Sequence, residues 1–199
     1  MTRKSVQQER RRQIMEALHK CLLKKPFDQT SIKDIAAVAR INHGMLHYYF
    51  KSKDDILLNY IEYVIERYKT LFEEWIHSKR DSFGSSKDIL RASFNFMYQK
   101  ITLNRDLSKI FIEIWEIAIY NRKVKEKLQK AYSEWIETVT LTIREVSGDE
   151  GTSARLSMGL VAFLEGVSLL SVILDKDEME TQLLLKDFEE RVLKMIDNG

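Results

Sequence analysis

Apolar residues recur along nearly the whole chain at spacings of three and four, the period of a helix with one face turned inward. Ile14, Leu18, Cys21 and Leu22 mark a first amphipathic helix over residues 5–24. KKPFDQ ends it, because Pro26 disfavours helix in the residue before it. Ser31 with Asp34 fits a capping box that opens a short helix, SIKDIAAVA; after the turn RIN, Asn42 caps another running through Tyr49. Two short helices joined by a three-residue turn, after a longer one, form a helix-turn-helix pattern. Ser52 and Asp55 suggest a second box, and Leu57, Ile61, Val64, Tyr68, Phe72 and Trp75 carry a long helix to about residue 78. KRDSFGSSKD (79–88) is the clearest loop. Further helices are predicted at 86–102, 106–120, 123–147, 152–175 and 179–197, broken by LNRD, NRK, SGDEG and DKDE.

Composition agrees with an all-α fold: 199 residues contain one proline and seven glycines. The 44% apolar share suffices for one sizeable core, or for a small domain fused to a larger one. No run of eighteen apolar residues is apparent and MTRKSVQQERRRQ has no apolar signal core, so the expectation is a protein neither membrane-spanning nor secreted. Cys21 is the only cysteine, which excludes an internal disulfide and a cysteine-based zinc site and suits a reducing cytoplasm. Charge divides the chain. Residues 1–53 hold twelve Lys or Arg against four Asp or Glu, and the remainder twenty against twenty-six. A basic head on an acidic body suggests a nucleic-acid-binding domain at 1–53 and a separate helical domain at 54–199, with 54–78 as the connecting helix.

ARINHGMLHYYFKSK (39–53) crowds two histidines, two tyrosines and a phenylalanine into eight residues, which no helical stripe explains. With its flanks, TSIKDIAAVARINHGMLHYYFKSKDDILL (30–58), it resembles the DNA-binding signature of the TetR family of bacterial transcriptional regulators. Thr30, Ile35, Ala36, Ala39, Gly44, Leu46, Tyr49, Phe50, Ser52, Lys53 and Leu57 carry the match. The resemblance implies an N-terminal three-helix DNA-binding domain, followed by a C-terminal helical domain for ligand binding and dimerisation. Thr30 and Ser31, at a helix N-terminus, would grip phosphate, and Lys53 would reach another. Gly44 would let the recognition helix approach DNA closely, so that His43, Met45, His47, Tyr48 and Tyr49 line the groove or its phosphate walls. Leu46 and Phe50 should face inward. Two departures stand out. Arg40 and Asn42 occupy turn positions where the family usually has Gly and then a Ser cap, and His47 replaces a phosphate-contacting tyrosine, making that contact pH-sensitive.

Other chemistries fit less well. His43 and His47 share a helix face, but no third ligand is adjacent, so no metal site is expected. Glu16–His19 and Glu74–His77 repeat the Glu-x-x-His spacing of di-iron bundles. Helical geometry, however, puts Glu16 and His19 opposite Ile14–Leu18–Leu22, and His77 opposite Leu57–Ile61–Trp75, away from any bundle interior. No nucleophile motif or phosphate-binding glycine loop supports an enzyme, and no cofactor is expected. A helical partner-binding adaptor fits the composition but leaves 30–53 unexplained.

By resemblance, residues beyond about 80 would bind a small inducer and pair two subunits. LSMGLVAFLEGVSLLSVIL (156–174) is apolar nearly all round, so both faces of that helix need cover. Leu183, Leu184, Phe188, Val192, Leu193 and Ile196 offer a partner stripe for a four-helix dimer interface. Phe94, Met97, Tyr98, Phe111, Trp115, Ile119, Trp135 and Phe163 are the candidate cavity residues. Glu165, an acid inside the apolar run, would be protonated, await a cation, or pair with a basic group at an interface. Glu113 and Glu116 flank Trp115 as solvated acids. The expected whole is a cytoplasmic homodimer that binds a palindromic operator in double-stranded DNA, a repressor released by a small-molecule inducer.

Overall fold

The structure, a computed structural model, describes residues 3–79, 82–175 and 177–197. Among the described residues the regular elements are all helical: α1 Arg3–Leu22, α2 Ile32–Val38, α3 His43–Tyr49, α4 Lys53–Lys79, α5 Ser86–Met97, α6 Arg105–Tyr120, α7 Arg122–Ser147, α8 Glu150–Ile173 and α9 Glu178–Asp197. Residues 80 and 81 of the expected loop, and residue 176 of DKDE, lie outside the described residues. The α1 helix stops two residues short of expectation because Lys24 and Lys25 both turn their N–H groups back to the Cys21 carbonyl. The helix expected at 86–102 is not uniform. After Met97 it widens into a π-helical segment, Tyr98–Thr102, closed by Leu103 N–H bonding to the Tyr98 carbonyl at 2.9 Å.

The chain divides into two compact units, residues 1–68 with 113–127 and residues 69–112 with 128–199. The expected head of residues 1–53 lies within the first. There α1 packs on α2 and α3, and Ile14, Leu18, Ile35, Leu46, Phe50, Ile56, Leu57 and Ile61 are almost completely buried. Seven-residue helices are unstable alone, so α2 and α3 depend on this packing and on their caps.

The second unit is built round Leu90, Phe94, Met97, Tyr98, Val139, Ile143, Leu160, Leu164 and Leu185, with Tyr132, Trp135, Phe163 and Phe188 packed against them. In α8 the buried face mixes Leu160, Val161, Leu164 and Val167 with serines. Ser153, Ser157, Ser168 and Ser171 are buried, while Met158, Leu170 and Ile173 are more than half exposed. The serines tolerate burial because each hydroxyl bonds a backbone carbonyl, as Ser157 does to Ser153 at 2.6 Å. By length and composition alone α8 could cross a membrane, although Glu165 and its serines interrupt any unbroken run of eighteen apolar residues. Its serine-lined side is instead part of this unit's interior. On α9, Val192, Leu193 and Ile196 face the same core, whereas Leu183 and Leu184 face outward.

Candidate nucleic-acid interface and ligand site

Each short helix of the head is held at its entrance by a side chain. Ser31 caps α2 through a full capping box, its Oγ accepting from Asp34 N–H and Asp34 Oδ2 accepting from Ser31 N–H at 2.8 Å. The same carboxylate accepts from Lys25 Nζ at 2.7 Å; Lys25 and Ser31 hold the Asp34 carboxyl well below the usual carboxylate range. The second box is half formed: Ser52 Oγ caps Asp55 N–H, but the Asp55 carboxylate bonds Lys51 N–H instead. Asn42 caps α3 by accepting Gly44 N–H at 2.8 Å. Between α2 and α3, Arg40 takes a left-handed backbone (φ 53°). Arg40 N–H bonds the Ala37 carbonyl and Ile41 N–H the Ala36 carbonyl, a Schellman turn whose left-handed position usually holds glycine.

Out of this frame α3 presents one continuous exposed face, His43, Gly44, Met45, His47 and Tyr48, with Leu46 and Phe50 buried behind it. The His43 and His47 rings meet edge to face at 5.4 Å, and Tyr48 and Tyr49 do the same at 5.1 Å. A Cβ on Gly44 would meet nothing closer than Asn42 Oδ1 at 3.4 Å, so nothing inside the chain demands glycine there. Ser31, Arg40 and Asn42 are exposed and Tyr49 is half-buried. Two expected phosphate contacts are placed differently. Thr30 is buried, its hydroxyl donating to the Pro26 carbonyl at 2.9 Å. Lys53 donates to the Phe27 carbonyl at 2.6 Å and stands over the Phe27 ring, closing the loop before α2.

Of the cavity candidates, Phe94, Met97, Tyr98, Trp135 and Phe163 share the core of the second unit, and Phe111 is half-buried outside it. Trp115 and Ile119 belong to the first unit, where Ile119 is 70% exposed. Two polar groups in the second unit are unusual. Tyr98 is buried with its hydroxyl unbonded, and burial together with nearby Glu189 raises its pKa. A buried hydroxyl left without a partner costs about 1–3 kcal/mol. Glu165 is half-buried and accepts the Tyr132 hydroxyl at 2.7 Å. Desolvation pushes its pKa up to about 7, the tyrosine bond pulling the other way.

Sequence reasoning missed three positioning residues. Arg11 donates from α1 to the Tyr49 carbonyl at the end of α3 and to Asn59 Oδ1 at 2.7 Å, with its guanidinium 4.2 Å from the centre of the Phe50 ring. In sequence it is one of three consecutive arginines, with no mark of its own. Tyr132 stands thirty-three residues from Glu165 and was equally unmarked. Glu113 accepts the Phe27 N–H and so is not merely solvated, whereas Glu116 is exposed. His19, expected to point away from the core, is half-buried, with its ring Nδ1 bonded to the Tyr60 hydroxyl on α4 at 2.7 Å.

The head is thus a helix-turn-helix domain whose second short helix has one exposed, aromatic- and histidine-rich face. The family described as bacterial regulatory proteins, tetR family, matches residues 14–60. The HTH-type transcriptional regulator HbdR of Aromatoleum sp. (strain CIB) is 36% identical over 62 residues, which are 31% of this chain and 27% of that one. The matched stretch therefore spans about a quarter of the curated relative. Among solved structures, a TetR transcription regulator from Haloarcula marismortui ATCC 43049 superposes with a TM-score of 0.77 at 21% identity, covering 96% of this chain and 98% of the other. A protein from Saccharomonospora viridis, solved in complex with choline, gives 0.76 at 22% identity, with 92% and 96% covered. At these identities the two structures establish the fold. The family match itself is confined to the N-terminal helix-turn-helix domain, residues 14–60.

Proposed function

We propose that the protein is a transcriptional regulator that binds a palindromic DNA operator as a homodimer, represses there, and is released by a small ligand. The observation that carries the DNA-binding part is the exposed α3 face, backed by Leu46 and Phe50 and flanked by the basic residues of the head. Tyr48 and Met45 stand clear of the domain, suited to phosphate and to a thymine methyl. Dimerisation is supported by the outward apolar side chains of α8 and α9: Met158, Ile173, Met179, Leu183 and Met195 are each more than half exposed. So many large apolar groups on two adjacent helices favour cover by a second copy. The unbonded Tyr98 hydroxyl and the half-buried Glu165 support a ligand site in the second unit. The Saccharomonospora viridis protein holds choline, and a small ligand is proposed for this chain also. A ligand releases DNA only if it binds the DNA-incompetent state better, and couplings of about 1–3 kcal/mol are usual. The continuous helix α4, shared by the two units, is the proposed lever. Such a regulator works in the cytoplasm and catalyses no reaction.

The test is salt. Affinity for a palindromic duplex should fall steeply between about 50 mM and about 300 mM salt, because each neutralised phosphate releases counterions. Equal binding at both would remove the DNA-binding reading and favour a partner-binding adaptor.

A further inference from the structure

We propose that the second unit binds an organic cation, with the Glu165 carboxylate as counter-ion and the Tyr132 and Trp135 rings beside it; this deepens the ligand-released reading above and rests on it. The geometry begins with what Glu165 lacks. Its one bond is to the Tyr132 hydroxyl, and no Lys, Arg or His among the described residues pairs with it. Other acids of the same unit are neutralised where they leave water. Glu189, almost fully buried, has Arg91 at 3.5 Å, and half-buried Glu134 has both Lys69 and Lys130. A carboxylate withdrawn from water without such a partner is unfavourable until a cation arrives or a proton is taken up. Burial has already moved its titration toward neutrality, which is the behaviour of a group awaiting a counter-charge.

The surroundings select the kind of cation. Tyr132 occupies only Oε1, leaving the second oxygen open, and partial exposure leaves the carboxyl reachable. Tyr132 and Trp135, one helical turn apart on α7, hold their ring centroids 6.1 Å apart at 32°. Ring faces attract a positive charge through their quadrupole, and a desolvated quaternary or protonated amine gains most from them. An anionic ligand would meet Glu165 as a like charge. A small hydrated metal ion would find one carboxylate and a phenol, too few oxygens to replace its water. The site therefore fits an amine or quaternary ammonium carrying apolar substituents.

Calorimetry and tryptophan fluorescence on the full chain at pH about 8, where the carboxyl is ionised, test this. The probes are choline, benzyltrimethylammonium and the uncharged choline isostere 3,3-dimethylbutan-1-ol. At least one cation should bind, the neutral alcohol at least about tenfold more weakly, and Glu165→Gln should weaken the cation at least about tenfold. Absence of binding by both cations up to about 10 mM would overturn the proposal. So would equal affinity for the alcohol, or unchanged affinity in Glu165→Gln. Should that variant fail to fold, the cation-to-alcohol ratio on the parent protein still decides. Operator binding is measured separately, without probe. Operator binding with no cation binding overturns the cation site alone; cation binding with no operator binding supports the site and removes the regulator reading.

Discussion

Arg40 and Gly44 sit four residues apart in the head and carry opposite constraints. Arg40 holds a left-handed conformation in which its Cβ crowds the backbone, a penalty of about 1–2 kcal/mol that glycine avoids at some cost in unfolded-chain entropy. Arg40→Gly should therefore raise unfolding stability by about 0.5–1 kcal/mol in a urea titration. Because it also removes an exposed charge, the slope of DNA affinity against salt should flatten by about one unit. A less stable variant would mean that the Arg40 side chain contributes more than its backbone costs. Gly44 is the reverse case: the chain has room for a Cβ, and alanine favours helix by about 1 kcal/mol. Gly44→Ala should fold at least as stably as the parent yet lose most operator affinity, since the added methyl points where DNA must approach. Full binding by a well-folded Gly44→Ala would place the recognition surface elsewhere.

At the scale of elements, α3 is too short to define its own position. Its entrance is set by Asn42 and its exit by Arg11, a cation bonded to a carbonyl at the negative end of the helix. Charge-assisted bonds of this kind contribute about 1.5–3 kcal/mol. Arg11→Ala should destabilise the protein by roughly that amount and weaken DNA binding beyond what the lost charge explains. Arg11→Lys should recover less than half of the stability, because one ammonium cannot reach both Tyr49 and Asn59 in the planar geometry of a guanidinium. Denaturant titration of the three proteins, with operator binding alongside, checks this. If lysine restores everything, Arg11 acts as a charge and not as a clamp.

For the whole molecule the decisive question is what covers α8 and α9. Leu183 is 64% exposed, so Leu183→Arg should leave a single chain's fold intact. In a dimer it would bury a charge at the interface, and sedimentation should show monomers. Two linked heads reach successive major grooves about 34–36 Å apart, so the monomer should bind the operator at least about tenfold more weakly. An intact dimer in Leu183→Arg would move the interface away from α9.

The sequence by itself determined most of the local architecture, because its signals act within a few residues: stripes at helical spacing, the Ser31–Asp34 box, the Asn42 cap and the turn at Pro26. It also marked the inward Leu46 and Phe50 within the segment that carries the family signature. Boundaries were less legible. The π-helical widening at Tyr98 changes which carbonyl an N–H chooses, and hydrophobic period does not encode that choice. What only the tertiary structure decided were pairings across long stretches of chain: Arg11 to Tyr49, Lys53 to Phe27, Glu113 to Phe27, Tyr132 to Glu165. Each joins residues twenty-six or more positions apart. A charged or hydroxylated side chain announces that it needs a partner, but which partner it finds depends on how helices pack. The same reason separates Val192, Leu193 and Ile196 from Leu183 and Leu184: all five are apolar in sequence, and only the packed helices divide inward from outward.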